Sequence, residues 1–219
     1  MTGSYPATHG ALRMDKPALR LAVLNDYICP FCYIGYLRLE KLREHFELAV
    51  NWALVEIHPE TPAAGKPLEE LGYPQKKLDN MLGELHEMAK AEGVSLAPQT
   101  YTTNSRRALL LAEASKQHGA DVFYPLHQRL FQSFFEEHKN IGDSEVLRSI
   151  ADECGIPADT VEQAWTNPAY ADTLRNNLSA AVQNGATGTP TFFIGTEILT
   201  GAVSDAALLA AARSATAAT

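Results

Sequence analysis

Cys29 and Cys32 stand three positions apart in the run Cys29-Pro30-Phe31-Cys32. Thiols at this spacing meet across one helical turn, so they can close a disulfide and exchange it with other thiols, or together hold a metal. A zinc centre needs about two further ligands. The chain has no second Cys-x-x-Cys and no histidine pair at finger spacing, and His86-Glu87-Met88-Ala89-Lys90 opens like a zinc-protease helix but lacks its second histidine. Redox chemistry also competes with two buried structural thiols and with a chance pair on the surface. The third cysteine, Cys154, lies in Ala151-Asp152-Glu153-Cys154-Gly155 at a predicted helix end and reads as a half-buried structural thiol, with nothing that places it near Cys29.

The elements around the pair decide what its thiols can do. Leu21-Ala22-Val23-Leu24 is a short apolar run that ends in Asn25-Asp26, the pattern of a buried strand. From Pro30 to about Phe46 the period turns helical, with Ile34, Leu37, Leu42 and Phe46 on one stripe; Pro30 suits a first turn, where its missing N–H costs nothing. Val50 to Ile57 reads as a second strand, ended by His58-Pro59. Such a strand–helix–strand unit has parallel strands and a right-handed crossover. Cys29 then sits at a helix N-terminus, where unpaired N–H groups and the helix dipole favour an anion, and its pKa is expected below the ~8.5 of a free thiol. Cys32, one turn further in, is expected to be more buried and to resolve a mixed disulfide formed by Cys29.

From about residue 60 to 185 strand signals nearly vanish. Helices are expected over 75–91, from an Asn104 cap to about His118, from an Asp121 cap to about His138, from an Asp143 cap to about Cys154, behind the capping-box pattern Asp159-x-x-Glu162, and over 168–184. Thr191-Phe192-Phe193-Ile194 and Glu197-Ile198-Leu199-Thr200 flank the turn signal Gly195-Thr196, and a last helix runs from Ser204/Asp205 to about Arg213. The expected fold is α/β. A βαβ half and a ββα half form one discontinuous domain, residues 19–62 and 186–214, around an all-helical insertion at 63–185, with a flexible tail at 1–18. Pro190 opens a strand, where it can donate nothing to the ladder. A cis Thr189–Pro190 bond there makes a rigid turn and leaves the Thr189 backbone to pair with an extended substrate; an ordinary trans proline is the alternative.

The 219 residues carry a net charge of −8 and no long Lys/Arg run, which argues against a general nucleic-acid binder. No run approaches the ~20 apolar residues of a membrane span. Residues 1–20, with Pro6, Asp15 and Pro17, show no secretory h-region, so a cytoplasmic protein is expected.

Together these motifs resemble the DsbA-like branch of the thioredoxin superfamily over about residues 19–213. Within it, Asp26-Tyr27-Ile28-Cys29-Pro30-Phe31-Cys32-Tyr33-Ile34-Gly35, the helix start Asn104-Ser105-Arg106-Arg107-Ala108 and the ending Gly-x-x-Gly-Thr-Pro-Thr-Phe-Phe-Ile are similar to the FrnE-like group. The resemblance implies a thioredoxin fold and thiol–disulfide exchange, with Cys29 as nucleophile, Cys32 as resolving thiol, Pro190 cis and Thr189 before it; Pro30 and Phe31 complete the expected substrate contact. The chain departs from the best-known periplasmic oxidant in having Pro-Phe, not Pro-His, between its cysteines, so a weaker oxidant is expected. Reduction or isomerisation of disulfides is then as plausible as oxidation.

Two other functions fit the same scaffold. Kappa-class glutathione transferases and 2-hydroxychromene-2-carboxylate isomerases resemble it, bind glutathione, and usually carry serine where this chain has Cys29. A non-catalytic chaperone-like binder is the second. No resident cofactor or metal is expected; glutathione is a candidate co-substrate, a thioredoxin-like protein a candidate reductant, and a protein or small-molecule disulfide the substrate. Asn104 is a helix cap or a cleft residue, Asp26 a strand end or an acid–base partner for Cys32, and the Phe131–Phe135 stripe between His127 and His138 core packing or the wall of an apolar groove.

Overall fold

The computed structural model describes residues 16–217; the expected tail falls on residues outside these up to position 15. Strand β1 (Ala18–Asn25) runs into helix α1 (Pro30–Lys41), which crosses over to β2 (Glu47–Leu54), parallel to β1 in the register Ala18↔Glu47 to Asn25↔Leu54. The chain returns to this sheet only at β5 (Thr191–Ile194), antiparallel to β1, and β6 (Glu197–Thr200), giving the order β2-β1-β5-β6. Helix α8 (Asp205–Ala217) closes the chain beside α1. This is the expected βαβ and ββα division of a thioredoxin fold.

The second strand lies earlier than its apolar residues indicate. It starts at Glu47, whose N–H bonds Pro17 O, and ends at Leu54, because the Ile57 N–H turns to the Asp26 carboxylate instead of a neighbouring strand. Leu19, Leu21 and Val23 alternate into the main core with Tyr36, Leu39 and Phe192, while Leu24 faces the other way, with Val55 and Ala181. At the β5–β6 hairpin Gly195 holds φ +59°, a conformation that suits glycine.

The intervening segment holds β3 (Lys66–Pro67), α2 (Gln75–Ala91), β4 (Tyr101–Thr102), α3 (Arg106–Ser115), α4 (Ala120–Phe135), α5 (Ser144–Glu153), α6 (Ala158–Thr166) and α7 (Pro168–Gln183). It is therefore not all-helical: β3 and β4 pair as a small antiparallel ribbon, Lys66↔Thr102 and Pro67↔Tyr101. Two-residue strands are too short to leave a periodic pattern. Asp143 caps α5 through the Glu145 N–H. Asp121 and Asp159 lie inside the first turns of α4 and α6, whose caps are Gly119 and Pro157, so neither is the cap its sequence pattern indicated.

An aromatic layer joins the two parts. Tyr33 on α1 stacks on Phe131 and Phe135 of α4 at 5.2 and 5.8 Å, and Tyr27 meets Phe131 edge-on at 5.0 Å. Gly35 lets α1 lie on the start of β5: a Cβ there would stand 2.9 Å from the Phe192 ring and 3.1 Å from Pro190 Cγ. Both neighbours are buried, so Gly35→Ala is expected to cost about 1–3 kcal/mol by overpacking, read as a lowered urea midpoint with unchanged m-value.

Candidate active site

The site forms where β1 hands over to α1. Asn25 is the last strand residue; the Cys29 N–H bonds Asp26 O at 3.2 Å, and Cys29 then caps α1 with extended backbone (φ −87°, ψ 111°), Pro30 taking the first helical position. The Cys32 and Tyr33 N–H groups both turn toward Cys29 O, at 3.0 and 3.3 Å. Cys29 is 5% exposed and Cys32 1%, and both are thiols.

Their protonation is asymmetric. A hydrogen bond from the Cys32 thiol, outweighing burial and helped by Thr189 and the Cys32 N–H, holds Cys29 below the ordinary thiol range. Burial, reinforced by the hydrogen bond to Cys29 and its charge, pushes Cys32 well above it. Burial also raises Cys154, the C-cap of α5, which is no part of this site.

Thr189 and Pro190 approach from the other half of the fold. Their peptide bond is cis. The Cys29 thiol donates to Thr189 O at 3.5 Å, and the Thr189 N–H makes no hydrogen bond among the described residues. A cavity of about 220 Å³ opens on Cys29, Pro30, Phe31 and Thr189. The insertion walls it with Leu68, Leu71, Tyr73, Leu78, Met81, Leu82 and Leu85, and among the described residues His58 is the one basic side chain in its lining. The structure thus brings Cys29, Cys32, Pro30, Phe31, Thr189 and Pro190 together. Asn104 lies apart from the cavity: its amide donates to Glu56 Oε1 and Pro59 O, and its Oδ1 accepts the Arg106 N–H. It is neither a cleft residue nor the residue next to α3, whose cap position is Ser105. Phe131, Phe134 and Phe135 are core, and none lines the cavity.

Asp26 is fully buried behind the pair. Its carboxylate accepts the Ile57 N–H at 2.8 Å, the Ser105 hydroxyl at 3.0 Å and the Ile28 N–H at 3.3 Å. Burial outweighs these donors and raises its pKa from 3.8 to about 7. Sequence reasoning misses both the leucine wall and Ser105. The wall leaves a trace in the α2 stripe Leu78, Leu82, Leu85 and Ala89, at helical spacing; Ser105 leaves none, since a serine before a helix reads as a cap.

A low-pKa thiol at a helix start, a buried partner one turn on and a cis-proline loop across from them define a thiol–disulfide exchange site on a thioredoxin fold. The comparisons agree: residues 20–212 match the DSBA-like thioredoxin domain, and the chain belongs to that family of thiol oxidoreductases. It is 29% identical over 191 residues to the uncharacterised protein YwbO of Bacillus subtilis (strain 168), covering 84% of this chain and 90% of that one. It is 26% identical over 180 residues to a 2-hydroxychromene-2-carboxylate isomerase of Sphingobium xenophagum, covering 80% and 89%. The crystal structure of a probable DsbA oxidoreductase from Streptomyces coelicolor superposes with a TM-score of 0.79 at 26% identity, covering 90% of this chain and 89% of that one.

At pH 7.5 iodoacetamide is expected to label Cys29 ahead of Cys32 and Cys154, read by peptide mass mapping. Asp26 gives a second expectation. Folding raises its pKa, so the stability it contributes is complete below pH ~4 and is lost as pH rises through about 7. The loss is about 4 kcal/mol by order of magnitude. Urea denaturation between pH 4 and 8 is expected to show wild type losing stability relative to Asp26→Asn over that window.

Proposed function

We propose that Cys29 is the nucleophile and Cys32 the resolving thiol of a disulfide reductase or isomerase. The observation that carries this reading is the opposed tuning of two thiols one helical turn apart, one held toward thiolate and the other kept protonated. Cys29 thiolate attacks a substrate disulfide, and one substrate sulfur leaves as a thiol. Cys32 then loses its proton, attacks Cys29 Sγ and expels the second. Asp26, buried beside the pair and electrostatically coupled to both thiols, is placed to accept that proton. The Thr189 N–H and carbonyl supply a backbone edge for an extended substrate, and the leucine-rich cavity takes an apolar group next to the scissile sulfur. Phe31 offers no charge between the cysteines, which supports a pair less oxidising than one with a cation there. In this reading the enzyme works in the cytoplasm, where glutathione or a thioredoxin-like protein returns the pair to the dithiol.

The glutathione-dependent isomerase alternative is weaker. Glutathione carries two carboxylates and an ammonium group, whereas the cavity wall, among the described residues, contains no Lys, Arg, Asp or Glu. Intact Cys29 and Cys32 also favour exchange over simple thiol binding.

A glutathione redox titration, with alkylation trapping and mass analysis of the Cys29–Cys32 peptide, is the direct test. A reversible two-electron transition is expected, and Cys32→Ser is expected to accumulate a mixed disulfide on Cys29. A pair that never closes would sink the reading.

A further inference from the structure

Ser105 stands at the cap position of α3, yet its side chain makes no cap bond. Asn104, one residue earlier, accepts the Arg106 N–H and frees the Ser105 hydroxyl. That hydroxyl, fully buried, donates to Asp26 Oδ2 at 3.0 Å. It is the one side-chain donor to Asp26 among the described residues; the other two, Ile28 and Ile57, are main-chain N–H groups. Asn104 and Arg106 hold the same helix start in place by donating to Glu56, at 3.0 Å each.

We propose that Ser105 is a positioning residue through which the helical insertion sets the charge of Asp26, and with it the rate at which Cys32 closes the disulfide. The inference rests on the exchange reading above. In the mixed disulfide, the Cys32 proton passes to the Asp26 carboxylate. The Cys32 sulfur forms a bond to Cys29 Sγ, the Cys29–substrate S–S bond breaks, and its electron pair leaves on the substrate thiolate. The substrate disulfide gains two electrons, the dithiol loses two, and no further reactant is needed. Asp26 can accept the proton only when ionised. A hydroxyl aimed at its oxygen favours that form, against burial and the charges that face it: Glu56 beyond β2, Cys29 and Cys32 at the start of α1, with the Tyr27 phenol also nearby. Arg106 is taken up by Glu56, which leaves Ser105 as the insertion's own contact with the carboxylate.

The test is stopped-flow oxidation by 4,4′-dithiodipyridine between pH 5 and 9, in a Cys154→Ala background. The first thiopyridone released reports attack by Cys29 and the second reports closure by Cys32. The closure-phase inflection lost in Asp26→Asn belongs to Asp26. Ser105→Ala is expected to move that inflection up by about one unit and slow closure about tenfold below it, with rates converging above it and the first phase unchanged. Ser105→Thr is expected to restore the wild-type profile, and Ser105→Ala is expected to have no effect on closure in Asp26→Asn. If circular dichroism shows Ser105→Ala unfolded, Ser105→Gly removes the same hydroxyl and serves in its place. An unmoved inflection, equal slowing at every pH, or an undiminished effect in Asp26→Asn would overturn the proposal. Absence of any Cys29-dependent first phase would instead overturn the exchange reading itself.

Discussion

The Asp26 carboxyl is the point at which three parts of the molecule meet. It lies just past the end of β1, takes the N–H that peels β2 away from the sheet at Ile57, and receives the hydroxyl that starts α3 in the insertion. A carboxylate excluded from water is costly unless its oxygens are met by donors. Here three donors meet it, and they come from its own turn, from the exit of the parallel strand and from the inserted helices. The same arrangement sets the backbone path into Cys29 and keeps a titratable group behind the thiols. The fold and its chemistry are thus tied to one buried group.

The insertion is packed into the thioredoxin half as part of a common core. Tyr27, Tyr33 and Tyr36 from the β1–α1 side interleave with His127, Phe131 and Phe135 from α4, and Trp52 of β2 closes the layer 4.2 Å from the His127 ring. His127 is buried and held neutral mainly by desolvation, with Tyr27 Oη 2.7 Å from its Nδ1. Helix α2 joins separately, through Leu85 and Ala89 packed on Ile34 of α1, so the cavity wall is anchored two residues past Cys32.

Two cysteines of one chemical type end up with opposite tendencies because their surroundings differ over a single turn. Cys29 stands at the helix start, where the Cys32 thiol can donate to it with help from Thr189 and the Cys32 N–H; Cys32 stands inside the helix, desolvated and beside a sulfur that carries the charge. Both functions suggested by the relatives, disulfide exchange and an isomerase reaction, can be built on this scaffold. The paired thiols and leucine-rich wall of this chain favour the first.

Local sequence was enough for most elements. Apolar periodicity, Pro30 at a helix start, the Gly195 turn and the Asp143 cap each act within a few residues, so the βαβ and ββα halves, the helices between them and the Cys29–Cys32 and Thr189–Pro190 motifs were legible without coordinates. What lies between distant segments was not. The β3–β4 ribbon, the end of β2 at Leu54, the leucine wall over Cys29 and the bond from Ser105 to Asp26 depend on residues tens of positions apart. Asn104 read as a helix cap or a cleft residue, Asp26 as a strand end or an acid–base partner for Cys32, and Ser105 carried no reading of its own beyond its place in a helix start. Only tertiary packing decided that Asn104 would accept the Arg106 N–H and that Ser105, at the cap position, would hold the buried acid, because a hydrogen bond between segments depends on where each segment is placed and leaves no period in the chain.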